Sequence, residues 1–195
     1  MRIGVIALTL LALGPVKAAA EWQIKPFLGV TFRGNTTFVD VEDGVGNPNI
    51  SFGVSTLLVG EIFGLEADFG QAPGFFQAGE GRLVKQSNVT TLSGSFVVAL
   101  PRRLAEYGLR PYFVGGAGMM RVRSDHQLGV LQVADTLPAL HSGGGVTGFL
   151  TDRFGLNWDV RRFHSTGGTA GGRGVSFGRE QLSFWRAQMA LAIRY

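Results

Sequence analysis

The sequence predicts an all-β fold, an eight-stranded antiparallel up-and-down transmembrane β-barrel preceded by a cleaved signal peptide. Three observations support this prediction. The chain has 195 residues with 30 glycines and no cysteine, and each glycine inside a helix would cost roughly 1 kcal/mol relative to alanine. Eight segments alternate between apolar and polar or small residues with a period of two. The connections between these segments alternate between long and short.

The composition excludes several classes of protein. With 45% hydrophobic and 16% charged residues the chain is not intrinsically disordered. Without cysteine it can form neither a disulfide scaffold nor a thiolate metal site. The net charge of +4 includes Arg2 and Lys17, and it falls by two when the leader that carries them is removed. That remainder is too small for an electrostatic nucleic-acid binder, so we expect no nucleic-acid partner.

The first predicted element is a signal peptide over residues 1–20. Arg2 precedes an apolar run, 3–13, that is too short to span a bilayer, and small residues follow before Glu21. The cleavage positions are Ala18 and Ala20. An N-terminal membrane anchor is the alternative, whereas a lipoprotein anchor would need a cysteine. The mature barrel domain then comprises residues 21–195.

Each following segment reads as a strand with one apolar face. In 155–163, for example, the apolar residues include Trp158 and Val160, and Asp159 and Arg161 lie between and after them. Phe27 interrupts the polar face of the first strand and must fit among small neighbours. Glycines blur the alternation in the fifth and sixth segments. The predicted strands are residues 22–33, 50–59, 65–71, 88–100, 110–122, 141–150, 155–163 and 182–195.

The connections are sorted by length. The long ones are 34–49, 72–87, 123–140 and 164–181, and the short ones are 60–64, 101–109 and 151–154. A soluble sandwich has no reason for this sorting, whereas an outer-membrane barrel places long loops outside and short turns toward the periplasm. We therefore expect both termini to be periplasmic.

The polar face is expected to line the lumen, which in eight strands is just wide enough to be filled by side chains. Its charged members are Glu66, Asp68, Asp159, Arg161, Arg186 and Arg194. Buried charges must be paired, so we expect an ion pair between Asp159 and Arg186, a plugged lumen and negligible conductance. A small pore and a soluble lipocalin-like ligand-binding barrel are the alternatives. The aromatic residues expected at the two membrane interfaces are Trp22, Tyr112 and Tyr195 on the periplasmic side and Phe32, Phe52, Phe69 and Trp185 near the loops.

The last strand carries a family resemblance. Its alternating apolar residues and terminal aromatic residue resemble the assembly signal of bacterial outer-membrane barrels; they are Trp185, Ala187, Met189, Leu191, Ile193 and Tyr195. Residues 113–118 and 155–161 are similar to the fifth and seventh strands of the small OmpA/OmpX-like outer-membrane β-barrel family, which the whole mature chain resembles. The resemblance implies a porin-like envelope protein of the Gram-negative outer membrane. It also implies outer-membrane lipid, lipopolysaccharide and the barrel-assembly machinery as partners, and a non-enzymatic role in envelope structure or surface interaction through the long loops; the extracellular partner is unknown.

An enzymatic alternative comes from residues 164–166. One eight-stranded outer-membrane enzyme, the lipid A 3-O-deacylase, uses a His and a nearby Ser at the outer rim of its barrel, and a His base beside a hydroxyl is what ester hydrolysis requires. Here His164 could act with Ser165 or Thr166. The His-x-Ser-Asn spacing of that enzyme is absent, Ser165 is expected on the opposite face from His164, and Thr166 has the right parity but is the poorer match. We therefore expect no enzyme.

No cofactor or metal is expected either. His126 and His141 accompany Asp125 and Asp135 in or beside the third long connection, but they have no short metal-ligand spacing. The glycine-rich stretch 167–174 lacks the Gly-Lys-Ser/Thr ending and the following helix of a phosphate-binding loop.

Overall fold

The computed structural model describes residues 20–36, 48–75, 84–105, 108–126, 132–166 and 182–195. The predicted signal peptide, except Ala20, and the centres of the long connections lie outside these ranges. The strands are β1 (Glu21–Thr36), β2 (Asn49–Val59), β3 (Phe63–Pro73), β4 (Val84–Ala99), β5 (Leu109–His126), β6 (Gln132–Phe149), β7 (Phe154–Ser165) and β8 (Leu182–Arg194).

The strands form one closed barrel in chain order. Each pairs antiparallel with the next, and β8 closes the barrel against β1, so that Gln23 lies opposite Arg194 and Phe32 opposite Trp185. The predicted eight-stranded antiparallel barrel is confirmed. In the described part of the chain no helix is long and apolar enough to cross a membrane, and the helix described there is a 3-10 turn at Arg102–Leu104.

The two faces of the wall differ in polarity. Large apolar side chains point outward and remain exposed, up to 74% for Phe96 and 77% for Phe113. Polar and charged side chains such as Lys25, Asp68 and Arg161 point inward and are at most 1% exposed. This is the reverse of a soluble ligand-binding barrel, in which the apolar set would point inward.

Some strands extend further than the sequence predicts. β5 and β6 remain paired as far as Asp125 opposite Gln132, so most of the predicted loop 123–140 is sheet. The alternation continues there with Arg121 and Arg123 exposed on either side of the buried Val122. Outward arginines obscured that pattern in the sequence. Below, the "loop end" of the barrel is the end with connections 37–48, 74–83, 127–131 and 166–181, and the "turn end" is the end with 60–62, 100–108 and 150–153.

β1 has two local irregularities that affect the interior. Phe27 points into the barrel, where Gly53 leaves it space: a Cβ added at Gly53 would lie 2.6 Å from the ring. Near the loop end, the pairing with β8 shifts between Phe32 and Asn35, and Arg33 has a φ of +50°. This bulge turns Arg33 to the exposed side, although strict alternation predicted it on the polar face.

Candidate functional site

The middle of the lumen holds a layer of buried ion pairs. Lys25 of β1 and Arg161 of β7 both contact Glu66 of β3, with 2.6 Å between Arg161 Nη2 and Glu66 Oε1. Arg161 also donates from Nε to Asp159 Oδ1 at 2.7 Å. Arg186 of β8 reaches across to β3 and donates from Nη2 to Asp68 Oδ1 at 2.8 Å.

This luminal ion-pair network is balanced in charge. Among the described residues it contains three cations and three carboxylates, which are Lys25, Arg161, Arg186, Glu66, Asp68 and Asp159. A buried ion is tolerated only when its desolvation is offset by close partners of opposite charge. The six residues of the network therefore carry no net charge as a group.

The predicted ion pair between Asp159 and Arg186 is wrong. In the β7–β8 register Asp159 lies opposite Gln188, while Arg186 lies opposite Arg161. Two arginines side by side repel each other, so each turns to a different carboxylate. Asp159 pairs with Arg161 on its own strand, and Arg186 pairs with Asp68 on the far wall.

Arg186 is enclosed by aromatic rings as well as by its carboxylate. Its guanidinium carbon lies 4.7 Å from the ring centroid of Phe27 and 4.7 Å from that of Phe163. A cation between two ring faces is stabilised electrostatically, more so when it is desolvated. Gly70 provides the space for this arrangement, since a Cβ there would lie 2.5 Å from Arg186 Nη1.

Tyr112 also belongs to the interior, and its predicted place among the interfacial aromatic residues is wrong. It is 5% exposed, and its hydroxyl donates to Asp159 Oδ2 at 2.5 Å. Asn157 Nδ2 in turn donates to the Tyr112 hydroxyl at 2.9 Å. A Cβ at Gly145 would lie 2.7 Å from the same hydroxyl, so Gly145 makes room for it. The glycines of β5 and β6 interrupt the alternation of apolar and polar residues, so the inward position of Tyr112 was not visible in the sequence.

His141 lies in the lumen, where it contacts a serine and an aromatic ring. Its Nε2 is 2.8 Å from Ser95 Oγ, and its ring stacks on Phe163 with centroids 5.1 Å apart. The side chains of His126, Asp125 and Asp135 lie outside the described set. Among the described residues no group of three or more His, Asp or Glu side chains is arranged to hold a metal.

The sixth predicted luminal charge, Arg194, lies at the rim of the turn end. Its Nε donates to Glu21 Oε1 at 2.6 Å, and Arg102 contacts the other oxygen of the same carboxylate. The Arg194 side chain is 29% exposed. The sequence correctly predicted that Arg194 faces the polar side of β8. Because Arg194 is at the end of that strand, it lies at the mouth of the barrel and not in its interior.

Two apolar clusters lie above and below the luminal ion-pair network. The cluster at the turn end consists of Leu57, Val59, Val97, Ala99, Tyr112 and Val114. The cluster at the loop end consists of Ala72, Phe75, Val89, Met120, Val122, Leu137, Ala139, Phe163, Leu182 and Phe184. The charged layer is thus bounded along the barrel axis by two groups of mostly aliphatic and aromatic side chains, with the Tyr112 hydroxyl bonded to the layer itself.

The first candidate esterase pair, His164 and Ser165, lies on opposite faces of β7. His164 is exposed on the outer wall, whereas Ser165 is 0% exposed and its Oγ accepts a hydrogen bond from the Leu182 N–H at 2.8 Å. Thr166 is exposed and donates to the Pro138 carbonyl at 3.4 Å. The strand parity that separates His164 from Ser165 is visible in the structure as it was in the sequence.

The terminal strand presents its apolar residues outward. Met189 and Leu191 are exposed on the outer wall, and the Tyr195 side chain is 79% exposed. The Tyr195 N–H donates to the Trp22 carbonyl at 2.9 Å, which extends the closing ladder by one bond beyond β8. Trp185 and Ile193 share the same face and are partly exposed.

Sequence reasoning left several members out of the site. Lys25 was on the polar face of β1, and the period-two alternation alone was enough to include it in the luminal site. Tyr112 and His141 were obscured by neighbouring glycines and by their loop-like surroundings. Glu21 and Arg102 could not be paired from the sequence, because a turn and a terminus meet there only when the barrel closes.

Comparison with known proteins identifies the fold. Neither a family model nor a curated protein sequence matches the chain. Among solved structures, Neisserial surface protein A has a TM-score of 0.59 at 12% identity, covering 87% of this chain and 95% of that one. The outer membrane protein OprG from Pseudomonas aeruginosa has a TM-score of 0.58 at 12% identity, covering 91% and 97%. The N-terminal β-barrel domain of OprF from Pseudomonas aeruginosa has a TM-score of 0.54 at 14% identity, covering 90% and 97%. The chain therefore has the fold of the small OmpA/OmpX-like outer-membrane barrels that its sequence resembles.

Proposed function

We propose that the mature chain is a non-enzymatic barrel protein of the bacterial outer membrane, exported through a cleaved signal peptide, with a plugged lumen and a loop end that faces the cell exterior. In this role it contributes to envelope structure or to surface interaction through its loops. The observation that carries the proposal is the inverted polarity of the barrel, an apolar outer wall around a buried, charge-balanced interior.

The apolar outer wall supports a lipid environment. Phe63, Phe96 and Phe113 point outward and are each more than 70% exposed. A soluble monomer rarely exposes a continuous apolar surface of this kind, whereas a bilayer solvates it without cost. The outer-membrane and surface proteins that share the fold favour the same location, and export to that location would require the predicted leader and the barrel-assembly machinery.

The interior supports a structural role in preference to transport. Arg161 and Glu66 are fully buried, and each has close partners of opposite charge. An ion entering the lumen would have to break these pairs and pass two apolar clusters. An eight-stranded lumen filled in this way has no continuous water path.

A small pore is the second candidate, because part of the lumen is lined by hydroxyl and amide groups. Among the described residues, the side-chain oxygens of Ser51, Ser55, Ser93 and Gln188 are buried and have no protein hydrogen-bond partner. The three serines lie on β2 and β4, and Gln188 lies on β8 opposite Asp159.

Conductance in planar bilayers distinguishes the two candidates. For the wild type we expect negligible or small, irregular current, because the ion pairs and apolar clusters block the axis. Refolding is checked first by heat-modifiable migration on a gel, so that an inactive preparation is not mistaken for a closed one. A large, steady, ion-selective conductance would contradict the plugged lumen and establish the pore.

A further inference from the structure

The outward-facing residues of β7 change from apolar to basic along the strand. From the turn end, the outward residues are Phe154, Leu156, Trp158 and Val160, and then Arg162 and His164. The four apolar residues are suited to acyl chains. Arg162 and His164 are exposed on the same face, close to the loop end.

The two basic residues lie in a pocket on the outer wall. The pocket has a volume of about 360 Å³ and is lined by Gly116, Leu140, His141, Ser142, Arg162 and His164. Ser142 lies directly opposite Arg162 in the β6–β7 register, and Leu140 lies opposite His164. On the other side of Ser142 stands Gly115, where an added Cβ would meet only the His141 carbonyl, at 3.9 Å. The missing side chain at Gly115 leaves the wall open beside the polar groups.

Arg162 has no carboxylate partner in the described part of the chain. Its guanidinium carbon lies 5.8 Å from the ring centroid of Trp185 on β8. Tryptophan marks the level of the lipid headgroups in membrane proteins. A guanidinium at that level is tolerated at little cost, because water and the anionic lipid headgroups are within its reach.

Charge is distributed unevenly between the two ends of the outer wall. The exposed charged residues described near the loop end are the arginines Arg33, Arg121, Arg123 and Arg162. The exposed carboxylates of the described chain, Glu61 and Asp152, lie in connections of the turn end, which also carry the exposed Arg102, Arg103 and Arg153. The described outer wall near the loop end, whose exposed charges are all cationic, is therefore suited to an anionic leaflet.

From this geometry we infer that the pocket formed by Ser142, Arg162 and His164 binds the phosphate group of a phosphorylated glycolipid of the outer leaflet. Arg162 offers the fork of donors that pairs with a phosphate in a bidentate manner. Ser142 and His164 supply additional hydrogen bonds, and the open wall at Gly115 accommodates the first part of an acyl chain. The inference rests on the proposed function, because it needs the loop end to lie in the outer leaflet.

The test uses full-length mature protein refolded in detergent micelles and checked for heat-modifiable migration. Native mass spectrometry then compares binding of bisphosphorylated lipid A with binding of the same lipid after removal of its phosphates. We expect the wild type to prefer the phosphorylated lipid and R162Q to lose about tenfold in affinity for it, as for one charged hydrogen-bonding group. The matched control is R103Q, an exposed arginine of the turn end, which should bind as the wild type does.

Several outcomes would overturn the inference. Equal binding of the phosphorylated lipid by R162Q and R103Q would mean that Arg162 does not bind the phosphate and only extends toward water. Equal binding of the phosphate-free lipid would mean that only acyl chains are held, and full competition by millimolar inorganic phosphate would mean that the site takes a free anion. Recovery of lipid lacking an acyl chain would favour the esterase alternative at His164. A wild type that never folds into a heat-modifiable barrel would instead refute the proposed function itself.

Discussion

Arg186 shows how a single buried charge is tolerated in this lumen. It is 2% exposed, it donates to Asp68, and it lies between the rings of Phe27 and Phe163. An unpaired charge at this position would cost several kcal/mol. The aromatic faces and the carboxylate together replace the water that the guanidinium has lost.

The first prediction concerns the space beside Arg186. In Gly70→Ala the new Cβ would lie 2.5 Å from Arg186 Nη1 and 2.9 Å from Thr91 Oγ1, so Arg186 must move away from Asp68. We expect a loss of about 1–3 kcal/mol in the free energy of unfolding, measured by urea titration in micelles. Gly94→Ala is the matched control, because a Cβ there meets no heavy atom within 4 Å. Equal stability of the two variants would contradict the proposed contact.

The second prediction ranks two carboxylates of the luminal ion-pair network. Glu66→Ala deprives Lys25 of its carboxylate and Arg161 of one of two, and should cost about 3–5 kcal/mol of unfolding free energy. Asp159→Ala leaves Arg161 paired with Glu66 and removes the acceptor of Tyr112, so about 1–3 kcal/mol is expected. The exposed Glu61→Ala should stay within about 0.5 kcal/mol of the wild type. The reverse order of Glu66 and Asp159 in the same titration would refute the pairing scheme.

At the scale of the strands, β8 is the element on which closure depends. It pairs with β7 on one side and with β1 on the other, and Tyr195 adds one more bond to Trp22. A barrel without this strand would expose two sheet edges in the bilayer, where unpaired backbone groups cost several kcal/mol each. The last strand therefore pairs both free edges of the sheet and also contributes Arg186 to the luminal ion-pair network.

The third prediction follows from that dual role. Deleting Tyr195, or changing it to Asp, should reduce the heat-modifiable form in the outer-membrane fraction, because recognition and closure both use this end. Export to the periplasm should continue. Tyr195→Phe keeps the aromatic ring and the backbone bond and should behave as the wild type. Normal outer-membrane levels of a chain lacking residues 186–195 would contradict the prediction.

Period-two patterning was enough to predict the number of strands, their order and most inward and outward positions. It failed where alternation was interrupted, as at the bulge of Arg33 and in the glycine-rich part of β5 that contains Tyr112. It also could not predict how far β5 and β6 extend beyond the bilayer. The added part of β5, residues 123–126, is polar throughout, and the added part of β6 contains Pro138, which weakens a strand pattern.

For the whole molecule, the inverted polarity predicts a definite orientation in the membrane. Apolar side chains surround the barrel, the short connections lie at one end, and the exposed arginines of the described strands lie near the other. The pairs inside the lumen could be predicted only as a set. Which carboxylate each arginine meets depends on strand tilt and on contacts across the lumen, as with Arg186 and Asp68, and these appear only in three dimensions.

The fourth prediction tests the orientation with single cysteines, which is practical because the chain has none. Thr166→Cys, at the loop end of β7, should react with a membrane-impermeant maleimide in intact cells. Leu150→Cys, in the β6–β7 turn where Leu150 is 79% exposed, should react only after the outer membrane is permeabilised. The cysteine-free parent controls for background labelling. Labelling in the opposite order would invert the proposed topology.

The contact between Arg186 and Asp68 has a consequence for the order of events during folding. The two residues are 118 positions apart in the chain, and Arg186 lies on the last strand, so the contact requires that β8 has joined the sheet. Without β8, Asp68 has no arginine partner. A barrel closed from seven strands would therefore bury an unpaired carboxylate. The long-range pair thus adds to the stability of the fully closed barrel alone, because a sheet without β8 has no Arg186 to offer Asp68.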